Sequence, residues 1–130
     1  MSRYCTRSDI ERVFGAENLS RWASIESDVD PDVTDSRIAH AIDIAEAEVD
    51  SILAGSPLRV PVATTPDGTP TLIREAAATL AGVYLYESRG AQAIAAESGT
   101  PSHPYIFKRI WALGVLQDLR EGKRRIPGVV

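Results

Sequence analysis

Apolar and polar positions along most of this chain recur at a helical period, and one stretch is apolar almost all the way round. In Thr71 to Arg89, TLIREAAATLAGVYLYESR, the apolar residues are Leu72, Ile73, Ala76, Ala77, Ala78, Leu80, Ala81, Val83, Tyr84 and Leu85. A helix with one buried side shows a single apolar stripe, whereas one apolar on most faces has to be surrounded. Two flanking segments carry single stripes that can supply that cover. In SRIAHAIDIAEAEVDSILAG the residues Ile38, Ile42, Ala45, Val49 and Ile52 step by four, three, four and three, which is one face of a helix. Thr34 or Asp35 is its expected cap and Gly55 its stop. The last helix, Tyr105 to Glu121, places Ile106, Ile110, Leu113, Leu116 and Leu119 on one stripe, with Val115 beside it and Trp111 near its edge. Gly122 closes it. The pattern predicts an all-α fold, a small helical bundle around a central apolar helix at about 71–89.

Shorter elements precede these. Thr6-Arg-Ser-Asp9 reads as a capping box opening a helix from about Arg7 to Phe14, with Ile10, Val13 and Phe14 turned inward. Gly15 ends it, and a second short helix, about Ala16 to Ser24, presents Leu19 and Trp22 three apart. Glu26 to Asp35 is acidic and proline-broken, a loop by composition. Its aspartates Asp28, Asp30 and Asp32 alternate as in a calcium loop, but the glycine and glutamate of an EF-hand are replaced by Val33 and Ala39. A solvated loop without metal is expected there. Residues 57–70 contain four prolines, which force extended chain. Leu58, Arg59, Val60 and Val62 lie in a stretch that reads as an exposed edge strand able to add to a neighbouring chain. Thr65-Pro-Asp-Gly68 is a turn signature. Residues 91–97 read as a weak helical continuation and Gly99-Thr-Pro as a loop. The expected organisation is a helical domain, 1–122, and an extended C-terminal tail, 123–130, whose Ile126, Val129 and Val130 are apolar enough to need a partner.

At 130 residues, 44% hydrophobic and 25% charged, the chain is sized for one domain with a real core. The net charge of −4 hides an asymmetry: residues 1–100 hold 8 basic against 16 acidic side chains, and residues 101–130 hold 6 against 2. An acidic body with a basic end suits head-to-tail self-association or docking on an acidic partner. No apolar run reaches the roughly 18 residues of a membrane span, because Arg74, Glu75 and Glu87 bracket the best candidate, so no membrane partner is expected. The first residues lack the apolar run of a secretory signal, and the expected location is the cytosol or something assembled there. The one cysteine, Cys5, excludes an internal disulfide framework and a cysteine-based zinc site. Its neighbours Arg3 and Arg7 suggest a lowered thiol pKa.

Candidate chemistry is thin. His40 and His103 are the only histidines, and His40 shares a helix face with Asp43. No G-x-S-x-G elbow, P-loop, G-x-G-x-x-G or H-E-x-x-H accompanies them. The expectation is no enzyme, no catalytic residue, no cofactor and no metal, with a hydrolase using His40, Asp43 and His103 as the weakest reading. A DNA-binding or regulatory module is the stronger alternative, but only the C-terminal Arg120, Lys123, Arg124 and Arg125 form a basic cluster.

The order of parts carries more. A first helix of the form T-x-x-D-[IL]-x-x-x-F-G (Thr6 to Gly15) precedes a tryptophan-bearing segment. The acidic-faced helix RIAHAIDIAEAEVDSIL, the P-L-x-V-P segment and the apolar LIREAAATLAGVYLYESR follow, and the last helix ends D-L-x-x-G-K (Asp118 to Lys123). From about Tyr4 to Gly128 the chain resembles the head-to-tail adaptor (connector, head-completion) proteins of tailed bacteriophages, of the Mu-like prophage gp36 type. Segments 57–70 and 91–104 are longer than the compact family pattern. The resemblance implies a structural virion protein that forms a homo-oligomeric, dodecameric ring between the portal protein and a tail-side connector or stopper. It would be assembled in the host cytoplasm, and DNA would pass through its channel without sequence-specific binding. Lumen-facing candidates are then Asp28, Asp30, Asp32, Asp43, Glu46 and Asp50, whose charge would keep the duplex from sticking. Leu58, Arg59, Val60 and Val62 are candidates for contact with a neighbour or the tail, and Arg120, Lys123, Arg124, Arg125, Ile126 and Val129 for docking on the portal.

Overall fold

A computed structural model of the chain describes residues 4–23, 31–54, 70–87 and 105–124. They form five helices: α1 (Arg7–Phe14), α2 (Ala16–Ala23), α3 (Pro31–Leu53), α4 (Thr71–Leu85) and α5 (Ile106–Glu121). The fold is all-α, and no strand occurs among the described residues.

Helix α4 is the centre of the bundle and packs against each of the other four. Every residue from Ala76 to Val83 is buried, as its all-round apolar character predicts. The small side chains Ala76, Ala77, Ala78 and Ala81 let neighbouring helices come close. At Gly82 a Cβ would overlap the Phe14 ring of α1. Glycine is required there by space, since this helical position imposes no special backbone angle.

Helix α1 is held at its start as the capping-box pattern predicts. Asp9 Oδ2 accepts from the Thr6 backbone N–H at 2.9 Å and from its hydroxyl at 3.2 Å. The other carboxylate oxygen meets Arg12 at 2.8 Å and lies 4.0 Å from Arg74 of α4. One buried carboxylate therefore caps α1 and ties it to the central helix. Gly15 ends α1 at φ 94°, a value that strains any residue with a side chain.

Helix α3 starts earlier than the acidic composition suggests. The segment to Asp35 is expected to be loop, but the helix begins at Pro31. Proline suits the first helical position, where its missing N–H has no partner to lose. Asp32 and Asp35 then stand in the first turns, where negative charge is favoured. Thr34 is buried inside the helix, and Asp35 pairs with Arg7 of α1 at 2.6 Å. The predicted stripe of α3 is present: Ile38, Ile42, Ala45 and Val49 are buried, with Ala41 and Leu53 beside them and Ile52 half-buried.

Four rings close one end of the bundle. Phe14, Trp22, Tyr86 and Tyr105 meet edge-to-face, with centroids from 4.9 Å (Tyr86–Tyr105) to 5.5 Å (Phe14–Trp22). They come from α1, α2, the turn after α4 and the residue preceding α5. Such pairs contribute about 0.5–1.5 kcal/mol each beyond the area they bury.

Candidate interaction surface

The stripe predicted for α5 divides in two. Its C-terminal half follows expectation: Val115, Leu116 and Leu119 are buried together with Ala112, and Leu113 packs at the edge. Its N-terminal half does not. Ile106 and Ile110, expected inside, are 40% and 57% exposed, and Phe107 and Trp111 are 79% and 44% exposed. The helix is apolar over more than one face near its start, and the small residue Ala112 is buried where Ile110 is not. An exposed Phe, Trp and two Ile on two successive turns form an apolar patch of the kind that marks contact sites.

Beside this patch lies a recess of about 390 Å³ lined by Val13, Glu75, Thr79, Phe107, Lys108 and Trp111. Its walls come from α1, α4 and α5, so the packing of three helices sets its shape. Lys108 Nζ stands 5.9 Å from the centre of the Phe14 ring, and Glu75 supplies the opposite charge, within 3.8 Å of Arg12. A second recess, about 320 Å³, is lined by Ser36, Arg37, His40, Tyr84 and Leu85. There His40 meets Tyr84 edge-to-face at 6.1 Å.

The acidic candidates separate by position. Asp43 is exposed on α3. Glu46, expected on the same solvent face, is 2% exposed, and this expectation is corrected. The segment preceding α1 lies across that face of α3, and Glu46 Oε2 accepts from the backbone N–H groups of Tyr4 at 2.6 Å and Cys5 at 3.3 Å. Asp50 is half-buried and accepts from the Tyr4 hydroxyl at 2.5 Å. Glu46 and Asp50 thus fasten the N-terminal segment to the bundle. Asp32 sits in the first turn of α3, and Asp28 and Asp30 lie outside the described residues, as do Leu58, Arg59, Val60 and Val62.

Cys5 departs from expectation in the same place. It is buried rather than exposed beside arginines. Desolvation, reinforced by the nearby Glu46 and Asp9 carboxylates, pushes its thiol up to about 12 from 9.0. The cysteine is a core residue here, with little thiolate at neutral pH. His40 is exposed on α3 near Asp43, while His103 lies outside the described residues. Among the described residues, no three His, Cys, Asp or Glu side chains gather where they would hold a metal ion. Nor is any described helix long and apolar enough to cross a membrane.

At the basic end, Gly122 takes the left-handed conformation (φ 79°, ψ 10°) that closes α5. Lys123 pairs with Glu121 at 2.9 Å and Arg124 with Asp118 at 3.1 Å, which offsets part of the positive charge locally. Arg120 is exposed on the last turn, and Arg125, Ile126 and Val129 lie outside the described residues.

The family model described as "Bacteriophage Mu, Gp36" matches residues 4–128, and no curated protein matches the chain. The match spans every helix described above, and the chain belongs to this family.

Proposed function

We propose that this phage protein, a member of the bacteriophage Mu Gp36 family, is a head-to-tail adaptor: a structural component, without catalytic activity, that assembles as a ring between the portal and the tail. The observation that carries this reading is the exposed apolar patch on α5. A protomer with a closely packed centre leaves Phe107, Ile110 and Trp111 in water, which suits a chain whose surface is completed by neighbours. In this reading a dodecameric ring brings that patch against adjoining copies. The exposed acid Asp43, with the acids of the 28–35 stretch, turns toward passing DNA and repels its phosphates. The portal and a tail-side connector or stopper are the partners, and the basic segment from Arg120 onward is the portal-side contact. The virion's head–tail interface is the proposed location.

The test is assembly. Purified protein mixed with portal particles is expected to form a ring on the portal vertex, visible by negative-stain electron microscopy, and Phe107→Ser is expected to weaken it. Failure of the wild-type protein to bind portal particles or to form rings on them would sink the reading. The alternative of a DNA-binding module predicts duplex binding that falls steeply with salt. The ion pairs that Lys123 and Arg124 make within their own chain reduce the charge available for it.

A further inference from the structure

The exposed side of α5 carries its largest projection and its emptiest position on one face. Phe107 is 79% exposed, more than any other large apolar side chain among the described residues. Gly114 follows seven residues later, about 10 Å along the axis, and seven residues are close to two full turns, so both lie on one arc. A Cβ at Gly114 would meet nothing within 4 Å. Ile110 and Trp111, 57% and 44% exposed, stand midway between them, and the exposed Gln117 continues the arc on its C-terminal side. A projecting ring beside a missing side chain is a knob beside a hole.

Such an arc fits a second copy of itself. Two α5 helices packed antiparallel about a two-fold axis between Ile110 and Trp111 bring each Phe107 over the other copy's Gly114. Each Ile110 then meets the other copy's Trp111, which is the reciprocal pairing that an isologous contact requires. Charge agrees with this. A two-fold axis sets every group near it against its own kind, so a charge there would repel itself, and the arc formed by Ile106, Phe107, Ile110, Trp111, Gly114 and Gln117 holds none. The two cations of these turns are directed elsewhere. Lys108 lines the recess beside α1, 5.9 Å from the centre of the Phe14 ring, and Arg109 lies 3.9 Å from Glu48 and 3.7 Å from Glu87. Area sets the strength. At about 200 Å² for each whole side chain, the uncovered parts of the four large residues come to roughly 400 Å², about half of what each partner buries in a standard interface. That suits a pair with a dissociation constant on the order of 100 µM.

We propose that the free protein pairs through α5 in this way, as a weak two-fold dimer with Phe107 of each copy seated at Gly114 of the other. A two-fold contact closes on itself and builds no ring. The dimer therefore covers the patch away from the particle and must part before the same side chains meet ring neighbours. That competition rests on the adaptor reading, whereas the dimer itself does not.

Sedimentation equilibrium of the full chain between about 10 µM and about 1 mM is expected to show monomer and dimer only. Gly114→Leu fills the hole and is expected to raise the dissociation constant by about 10–100-fold. It should not lower the melting temperature, since glycine is the poorer helix former at an exposed position. A wild-type chain that stays monomeric overturns the proposal, as does a Gly114→Leu dimer as tight as the wild type. Single cysteines under mild oxidation by diamide check the direction of packing. Ile110→Cys, beside the axis, is expected to give a disulfide-linked dimer faster than Gln117→Cys, whose two copies stand about 20 Å apart in the antiparallel pair. Equal rates or the reverse order overturn the proposal. Cys5, buried with its thiol pushed up to about 12, stays out of the exchange at about pH 8. Portal binding is read separately: a monomeric chain that still forms rings removes the dimer alone, and a dimeric chain that forms none removes the adaptor reading alone.

Discussion

Helix α4 and the first half of α5 are both rich in apolar residues, yet one is wrapped on every side and the other stands in water. Along α4, Ala76 to Val83 are buried without interruption. Along α5, Ile106, Phe107, Ile110 and Trp111 are exposed within two turns. Small side chains make the difference on α4, where alanines and Gly82 let α1, α3 and α5 close in. On α5 the buried residues are Ala112, Val115, Leu116 and Leu119, and Ile106, Phe107, Ile110 and Trp111 fall on the remaining arc. Apolar surface on α4 holds the protomer together, while that at the start of α5 stays exposed.

The contrast is broken most severely by a charge in the wrapped helix. Ala77→Asp buries an unpaired carboxylate at a fully covered position and should cost several kcal/mol. That is a large share of the ~0.05–0.15 kcal/mol per residue typical of whole proteins, so loss of the folded circular-dichroism signal is expected. Trp22→Ala, which empties the centre of the four-ring cluster, should cost about 3–5 kcal/mol in denaturant unfolding.

A smaller effect is expected where α3 holds the N-terminal segment. Glu46→Ala leaves the Tyr4 and Cys5 N–H groups without their carboxylate and should cost about 1–3 kcal/mol, read as a lowered melting temperature. The same region gives a pH test. Cys5 titrates near 9.0 when unfolded and about 12 when folded, so above pH 9 the unfolded chain releases a proton that the folded chain keeps. Stability from this group is full below pH 9 and falls as pH rises toward 12. Cys5→Ala should flatten that alkaline decline, checked by melting temperature across the range. The smallest effect on stability belongs to the exposed patch: Phe107→Ser should change unfolding free energy by no more than about 0.5 kcal/mol. If the patch meets adjoining copies, as proposed, the same variant should weaken self-association in sedimentation experiments. A large loss of stability from Phe107→Ser would erase the distinction between the two helices.

Much of the bundle is legible in the chain because its signals are local. The Thr6–Asp9 capping box, the glycine ends at Gly15 and Gly122, and the four-three stripe of α3 each depend on residues a turn or two apart. The early start of α3 at Pro31 was open to the same reasoning, since proline is favoured at a first helical position. It was hidden by the acidic run, which resembles a loop. The surface was less legible. Asp43, Glu46 and Asp50 share a face by spacing, but spacing does not reveal that the Tyr4–Cys5 segment lies across it.

What the sequence determined by itself was the set of helices, the central place of α4 and the family to which the chain belongs. Those follow from periodicity, capping and the order of parts, all of which are carried by neighbours along the chain. Only the tertiary structure decided that Glu46 is a buried acceptor, that Cys5 is a core thiol and that Tyr86 and Tyr105 join Phe14 and Trp22. It also decided which of the apolar faces of α5 meets α4. A helix with two apolar faces can bury either one, and the choice rests on side-chain sizes across the interface with α4, where small residues permit the closest approach.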